Sequence, residues 1–348
     1  MIKGLLLTIV VFGALATTEK VSAQTPHHDH AFLWTVTAGM QDLGVPVGWT
    51  DSFANGISRN GVIVGYLVNS DTGNAAAAVW SVQTGWKVLS HRLNQQYSVA
   101  HAVNNARQIV GTTFAAGSTT EHAFLWTATT GMQDLGTLGG STSFAFGIND
   151  KGEVVGQSDT ASGGVDAFLW TQGGGMQDLG ALEVGANSGS MAYAINDKGV
   201  IVGASTGQDA IVQAVSWVNG VIHTLKGLGP NAGVAFSSAA AINSAGEVVG
   251  YFSNSLRELP TDPFLWTESG GVGNLGAFMD SPQNLVTGIN DLGEVVGWSV
   301  VGSGNDYLQA FIWTAGGGFQ ALGSLAGFET VAMGINDAGQ VVGYSGVQ

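Results

Sequence analysis

Carboxylates carry most of the acid–base and metal-binding chemistry open to this chain, which has no cysteine. Seven of them, Asp71, Asp159, Asp166, Asp209, Glu258, Asp262 and Asp306, fall in segments that vary between otherwise similar stretches. Brought together in pairs, such groups would support hydrolysis or elimination; left apart, they are solvated loop charges. His27-His28-Asp29-His30 has the composition of a metal-binding tract, but it lies just ahead of the first ordered-looking motif. Asn-Asp pairs such as Asn149-Asp150 resemble the start of a calcium loop and lack the terminal bidentate Glu. No metal or other cofactor is therefore expected, calcium being the one ion weighed. A nucleophile elbow, an HExxH helix and a phosphate-binding glycine loop are all missing from the sequence. Whether the chain is an enzyme stays open, and the reading leans towards no.

Two further sets recur at matched positions. Ser52, Ser98, Ser143, Ser190, Ser237, Asn284 and Thr330 place a small polar side chain at the same point of seven stretches. They would either ring the mouth of a ligand site or fix an incoming connection. Tyr66, Tyr251, Trp298 and Tyr344 share another position, held elsewhere by Thr112, Gln157 and Ala204. Aromatic faces there would stack on sugar rings or pack between neighbouring elements. Both sets are the candidate ligand-binding residues.

The elements that must position them are copies of one repeat. Trp34, Trp80, Trp126, Trp170, Trp217, Trp266 and Trp313 recur at intervals of 44 to 49 residues, each in an AFLWT-like strand. In step with them, Gly65, Gly111, Gly156, Gly203, Gly250, Gly297 and Gly343 each close a VVG-type triplet. Within residues 143–180, FAFGI and EVVGQ flank the tight turn Asn149-Asp150-Lys151-Gly152, and AFLW and GMQDL flank a second turn. Arg107 stands where that turn glycine belongs in the second copy, which predicts a locally different turn there. The turn Asn is expected to bond its own backbone two residues on. Four strands in about 47 residues are a propeller blade. The fold expected is all-β, a seven-bladed propeller of four-stranded antiparallel blades.

Small residues fix the order of strands. Gly56, Ala102, Gly147, Ala194, Ala241, Gly288 and Gly334 suit the crowded axis, so the strand that carries them is innermost and the Trp strand lies further out. The chain then begins with two outer strands (30–44) and ends with two inner ones (330–345), and one blade is built from both termini as a clasp. Both hairpin turns of each blade point to one end of the ring. The long connections point to the other, the expected functional face.

Residues 1–23 read as a signal peptide, with Lys3 ahead of an apolar run from Gly4 to Ala16 and small residues at Val21-Ser22-Ala23. Residues 24–29 are read as a flexible lead-in and 30–346 as a single propeller. The formal net charge is −15, and removing Lys3, Glu19 and Lys20 makes it one unit more negative. Nucleic acid and anionic lipid are unsuited partners for such a chain. No membrane span is expected in the mature protein, whose place would be secreted, periplasmic or at the cell surface.

The segments HAFLWT, GMQDLGTLGG and GINDKGEVVG closely resemble the HAF-repeat family of bacterial extracellular proteins, with His-Ala-Phe at His30-Ala31-Phe32 and His122-Ala123-Phe124. Other copies vary the motif, with Asp166 and Gln309 at the His position and Pro263 directly before the Phe, and the likeness extends over residues 30–345. The resemblance implies export and repeat architecture and supplies no catalytic residue. The functional expectation is a module that binds an extracellular ligand or partner, such as a cell-surface glycan or a protein, through the variable-loop face. Its alternatives are a hydrolase or lyase with carboxylates at the channel mouth, and a structural surface protein.

Overall fold

The computed structural model describes residues 28–89, 97–114, 120–183, 188–207, 211–254, 261–281, 283–302, 307–327 and 329–347. Among them are 28 β-strands and two short 3-10 turns, with no helix long and apolar enough to cross a membrane. The segment read as a signal peptide, 1–23, lies outside the described residues, as do Asp209, Glu258 and Asp306.

The strands form four-stranded antiparallel units. In the first, Asp51–Ile57, Ile63–Asn69, Asn74–Ser81 and Gly85–Val88 pair in chain order. A single parallel bridge, Ala75 to Tyr97, joins it to the second unit. One unit is assembled differently: Thr330–Ile335 and Val341–Val347 are completed by His28–Thr35 and Gly39–Asp42. Here the expected flexible lead-in needs correcting. His28 and Asp29 are already strand, opposite Val347 and Gly346, because the Asp51 carboxylate accepts the Asp29 N–H at 2.9 Å and faces His28 Nδ1 at 3.2 Å.

The turn after each first strand follows from its residues. Asn149 Oδ1 accepts the N–H groups of Lys151 and Glu153, and Gly152 takes a positive φ of 77° to close the hairpin. Arg107 overturns the expectation of a different turn. It takes the same left-handed conformation, φ 60°, and Asn104 keeps the same backbone bonds to Arg107 and Gln108. The turn geometry is thus imposed by the Asn and the strand pairing, at the cost of strain in a residue with a Cβ.

Every first strand also carries a bulge, seen as a register shift such as that between Ala145 and Gly147. The glycine of the VVG triplet sits opposite it. A Cβ added to Gly156 would fall on the carbonyl oxygen of Phe144, so this position admits hydrogen alone. First strands of successive units also approach closely: a Cβ on Gly56 would lie 2.9 Å from the His101 carbonyl oxygen of the next unit.

Burial is divided into slabs between sheets. Trp170 packs with Val110, Leu125 and Leu135 of the preceding unit, and Trp34 packs with Ile312 and Leu322 in the same way. The third-strand phenylalanines Phe32, Phe124, Phe168, Phe264 and Phe311 are fully buried beside them. Consecutive apolar residues in AFLW are explained by this two-sided packing. The first strands contact their neighbours in cyclic order, the one beginning at Thr330 packing on the one beginning at Asp51.

Candidate functional site

The turns after the seven first strands meet at one central cup, a cavity of about 230 Å³. Each first strand ends on an apolar residue that lines it: Ile57, Val103, Ile148, Ile195, Ile242, Ile289 and Ile335. Next in sequence stand Ser58 and the six turn asparagines, and at the mouth Arg59, Asn105, Asp150, Asp197, Ser244, Asp291 and Asp337.

The asparagines do more than shape their own turns. Asn104 Nδ2 donates to the carbonyl oxygen of Asn149 at 3.0 Å, and Asn149, Asn196 and Asn243 each donate to the Asn of the following unit at 3.1 Å. Asn290 donates to Asn336, and Asn336 to Ser58, so the chain of bonds crosses from the last unit to the first. Ser58 has no amide with which to continue it. These side chains are buried, where an unpaired amide would be costly.

At the mouth, each aspartate binds the preceding unit. Asp150 accepts the Asn105 N–H and Nδ2, Asp197 the Asp150 N–H, Asp291 the Ser244 N–H and Oγ, and Asp337 the Asp291 N–H. Arg59 reaches over the opening. Its Nε lies 2.8 Å from Asp337 Oδ2, and its Nη2 lies 2.7 Å from Asp291 Oδ2 and 2.8 Å from Ser244 Oγ. Two of the four mouth carboxylates, Asp291 and Asp337, thus hold one guanidinium. Among the described residues no group of three or more His, Cys, Asp or Glu is arranged to hold a metal ion.

The middle of the first strands carries the bulge residues. Phe146 stacks on His101 and lies tilted against Tyr193 there, both pairs with ring centroids 5.7 Å apart. Burial lowers the His101 pKa to about 4, keeping the ring neutral at physiological pH. None of the three lines the cup.

The residues singled out by sequence lie elsewhere. Ser52, Ser98, Ser143, Ser190, Ser237, Asn284 and Thr330 are all buried, at most 2% exposed. Ser52 Oγ accepts the Ala31 N–H and donates to the Gly44 carbonyl; Ser143, Ser190 and Ser237 repeat both bonds. Ser98 accepts the Ala77 N–H, Thr330 donates to Gly323, and Asn284 bonds Phe278, Ser281 and Ser299. This set fixes the connection entering each first strand.

The aromatic set packs between sheets. Tyr66 stacks on Phe53 with centroids 4.6 Å apart, and Tyr344 meets Phe53 edge-on at 5.0 Å. Tyr251 lies against Phe236, and Trp298 against Leu308 and Val331. Burial raises the phenol pKa of Tyr66 and Tyr344 and takes Tyr251 to about 12. Of the loop carboxylates, Asp159 accepts Ser141 and Thr142 hydroxyls, whereas Asp166 faces Asp178. His28 faces Asp51 and His30 faces Asp42, so the histidine tract is split between two carboxylates.

The mouth residues were missed because each reads as a turn residue in its own repeat. The available signal was Arg59, a cation in the position held elsewhere by Asp, Asn or Ser.

No family model matches the chain, and no curated protein matches it. Solved structures do. A TolB-like protein of Agrobacterium tumefaciens is similar over 93% of this chain and 100% of its own, with 12% identity and a TM-score of 0.52. A prolyl endopeptidase is similar over 81% of this chain, with 11% identity and a TM-score of 0.56; the match spans 44% of that enzyme's length. At such identities the likeness bears on fold alone, and the fold these structures share with the chain is the β-propeller.

Proposed function

We propose that this chain is an exported, seven-bladed propeller of HAF-repeat kind, closed by the sheet its two ends share, and that it works by non-covalent binding at the end of its axis. Closure is supported by the pairing of His28–Thr35 with Val341–Val347 and by the Asn336–Ser58 bond. Export is supported by the apolar segment of residues 4–16 behind Lys3. The observation that carries the binding reading is the cup, to which the turn after every first strand contributes and in which charged, amide and apolar side chains converge. Ligands are bound in concave sites where polar groups from several elements converge. This places the proposed site at the tight-turn end, opposite the variable loops expected from sequence.

The test is a thermal-shift screen of residues 24–348 against glycans, divalent ions and small organic cations, run in parallel on the Asp291→Asn/Asp337→Asn variant. A ligand of the cup raises the melting midpoint of the first protein by mass action and leaves that of the second unmoved. Equal shifts in both would move the site to the loop end, and no shift with any class would sink the binding reading.

A further inference from the structure

Arg59 is the one basic side chain lining the cup, and it departs from the repeat at that position. Its three acceptors, Asp337, Asp291 and Ser244, come from three other units and none from its own. Arg59 thus spans the opening instead of bonding only the adjacent unit, as the mouth aspartates do. A guanidinium presents donors in a fixed planar fork, which two carboxylates at different angles match and a single ammonium does not. The side chain is 45% exposed, so the seat opens to solvent. Beside it, Asp197 binds the Asp150 N–H through Oδ1, and its Oδ2 has no partner among the described residues. Lys151 and Lys198, next in sequence to Asp150 and Asp197, form no ion pair among the described residues and do not line the cavity.

We propose that the cup is a guanidinium-recognition site occupied in cis by Arg59, and that its partner is an arginine side chain presented by another protein outside the cell. The inference rests on the reading of the cup as the binding site and names its ligand class. The acidic charge of the chain favours approach of a basic segment. Ion pairs at half-exposed positions are weak, so Arg59 yields its seat to a better-placed guanidinium. While seated, it reduces apparent affinity by the fraction of molecules in which the seat is free.

The probe is N-acetyl-argininamide, titrated calorimetrically into residues 24–348 and into the Arg59→Ala variant, with the citrulline and lysine analogues as controls. Saturable one-to-one binding to Arg59→Ala is expected, at least tenfold weaker to the unaltered protein. It is lost when Asp291→Asn and Asp337→Asn are added, and the citrulline analogue does not bind. Should Arg59→Ala be too unstable to titrate, the arginine analogue must raise its melting midpoint saturably while citrulline does not. Absence of saturable binding or rescue, or equal behaviour of the citrulline or lysine analogue, overturns the inference. In that event a ligand from the screen above that depends on Asp291 and Asp337 would still uphold the cup as a binding site.

Discussion

His30 and Asp42 show what the HAF motif does chemically. The imidazole Nδ1 lies 2.9 Å from the carboxylate across the outer hairpin, and His122 and Asp134 repeat the pair at 2.7 Å. In the third unit Asp166 takes the histidine's place and faces Asp178; burial, then that like charge, raises the Asp166 pKa. A carboxyl whose pKa rises on folding penalises the folded state above that pKa, and the penalty disappears as the pH falls below the unfolded value. Asp166→Asn, which removes the carboxyl without adding a titrating group, should therefore stabilise by up to about 1 kcal/mol at pH 7. The advantage should shrink towards pH 4, as thermal melts across that range would show. Asp51 is the opposite case. Burial pushes its carboxyl up, but hydrogen bonds from Thr50, the Asp29 N–H, Ser70 and His28 outweigh it and hold the pKa low. The matched serines were legible as a repeated position with two possible roles, one of them fixing the incoming connection, but their partners were not, because a partner such as the Ala31 N–H for Ser52 lies about 20 residues away in the neighbouring unit.

Among elements, the hairpin turns were legible because Asn and Gly act on their own backbone within four residues. The asparagine ladder was not, since the carbonyl that receives Asn149 Nδ2 belongs to Asn196, 47 residues on. Its gap at Ser58 is a natural test. Asparagine at 58 keeps an acceptor for the Val62 N–H, now supplied by Ser58 Oγ, and brings a donor to the Asn104 carbonyl. Ser58→Asn should raise stability by about 1 kcal/mol, the net value of one added hydrogen bond, read from urea midpoints. A loss would show that the first turn stands too far from the second to join the ladder. A wide side chain on an outer strand fills the gap where neighbouring sheets diverge, and the burial of the tryptophans grades that role. Trp217 is fully buried with its Nε1 bonded to the Leu179 carbonyl, whereas Trp126 is partly exposed and its Nε1 is unpaired. Trp217→Ala should cost about 3 to 5 kcal/mol and Trp126→Ala clearly less. Equal losses would mean that wedge filling does not set the cost.

At the scale of the molecule, the strand order was readable from where glycine and alanine are small enough for first strands to meet. The location of the cup's charge was not, because Arg59 and Asp291 are separated by 232 residues and meet only if the last units return to the first. The proposed site and the proposed closure are therefore linked: were the ends to part, Val341–Val347 would lose one of its two strand partners, His28–Thr35, expose a strand edge and separate Arg59 from Asp291 and Asp337. Deleting residues 28–44 should abolish the cooperative melt and drive aggregation, where loss of an ordinary surface hairpin would only lower the midpoint.

The most direct test of closure uses the absence of native cysteine. His28 stands opposite Val347 in the strand register, so a protein carrying His28→Cys and Val347→Cys has a single possible intramolecular disulfide, joining the two ends of the described chain. Mass spectrometry and non-reducing electrophoresis of the oxidised monomer should find that bond formed throughout the sample, with a melting midpoint above that of the reduced form. Free thiols under oxidising conditions, or bonds only between chains, would contradict a ring closed by its own termini.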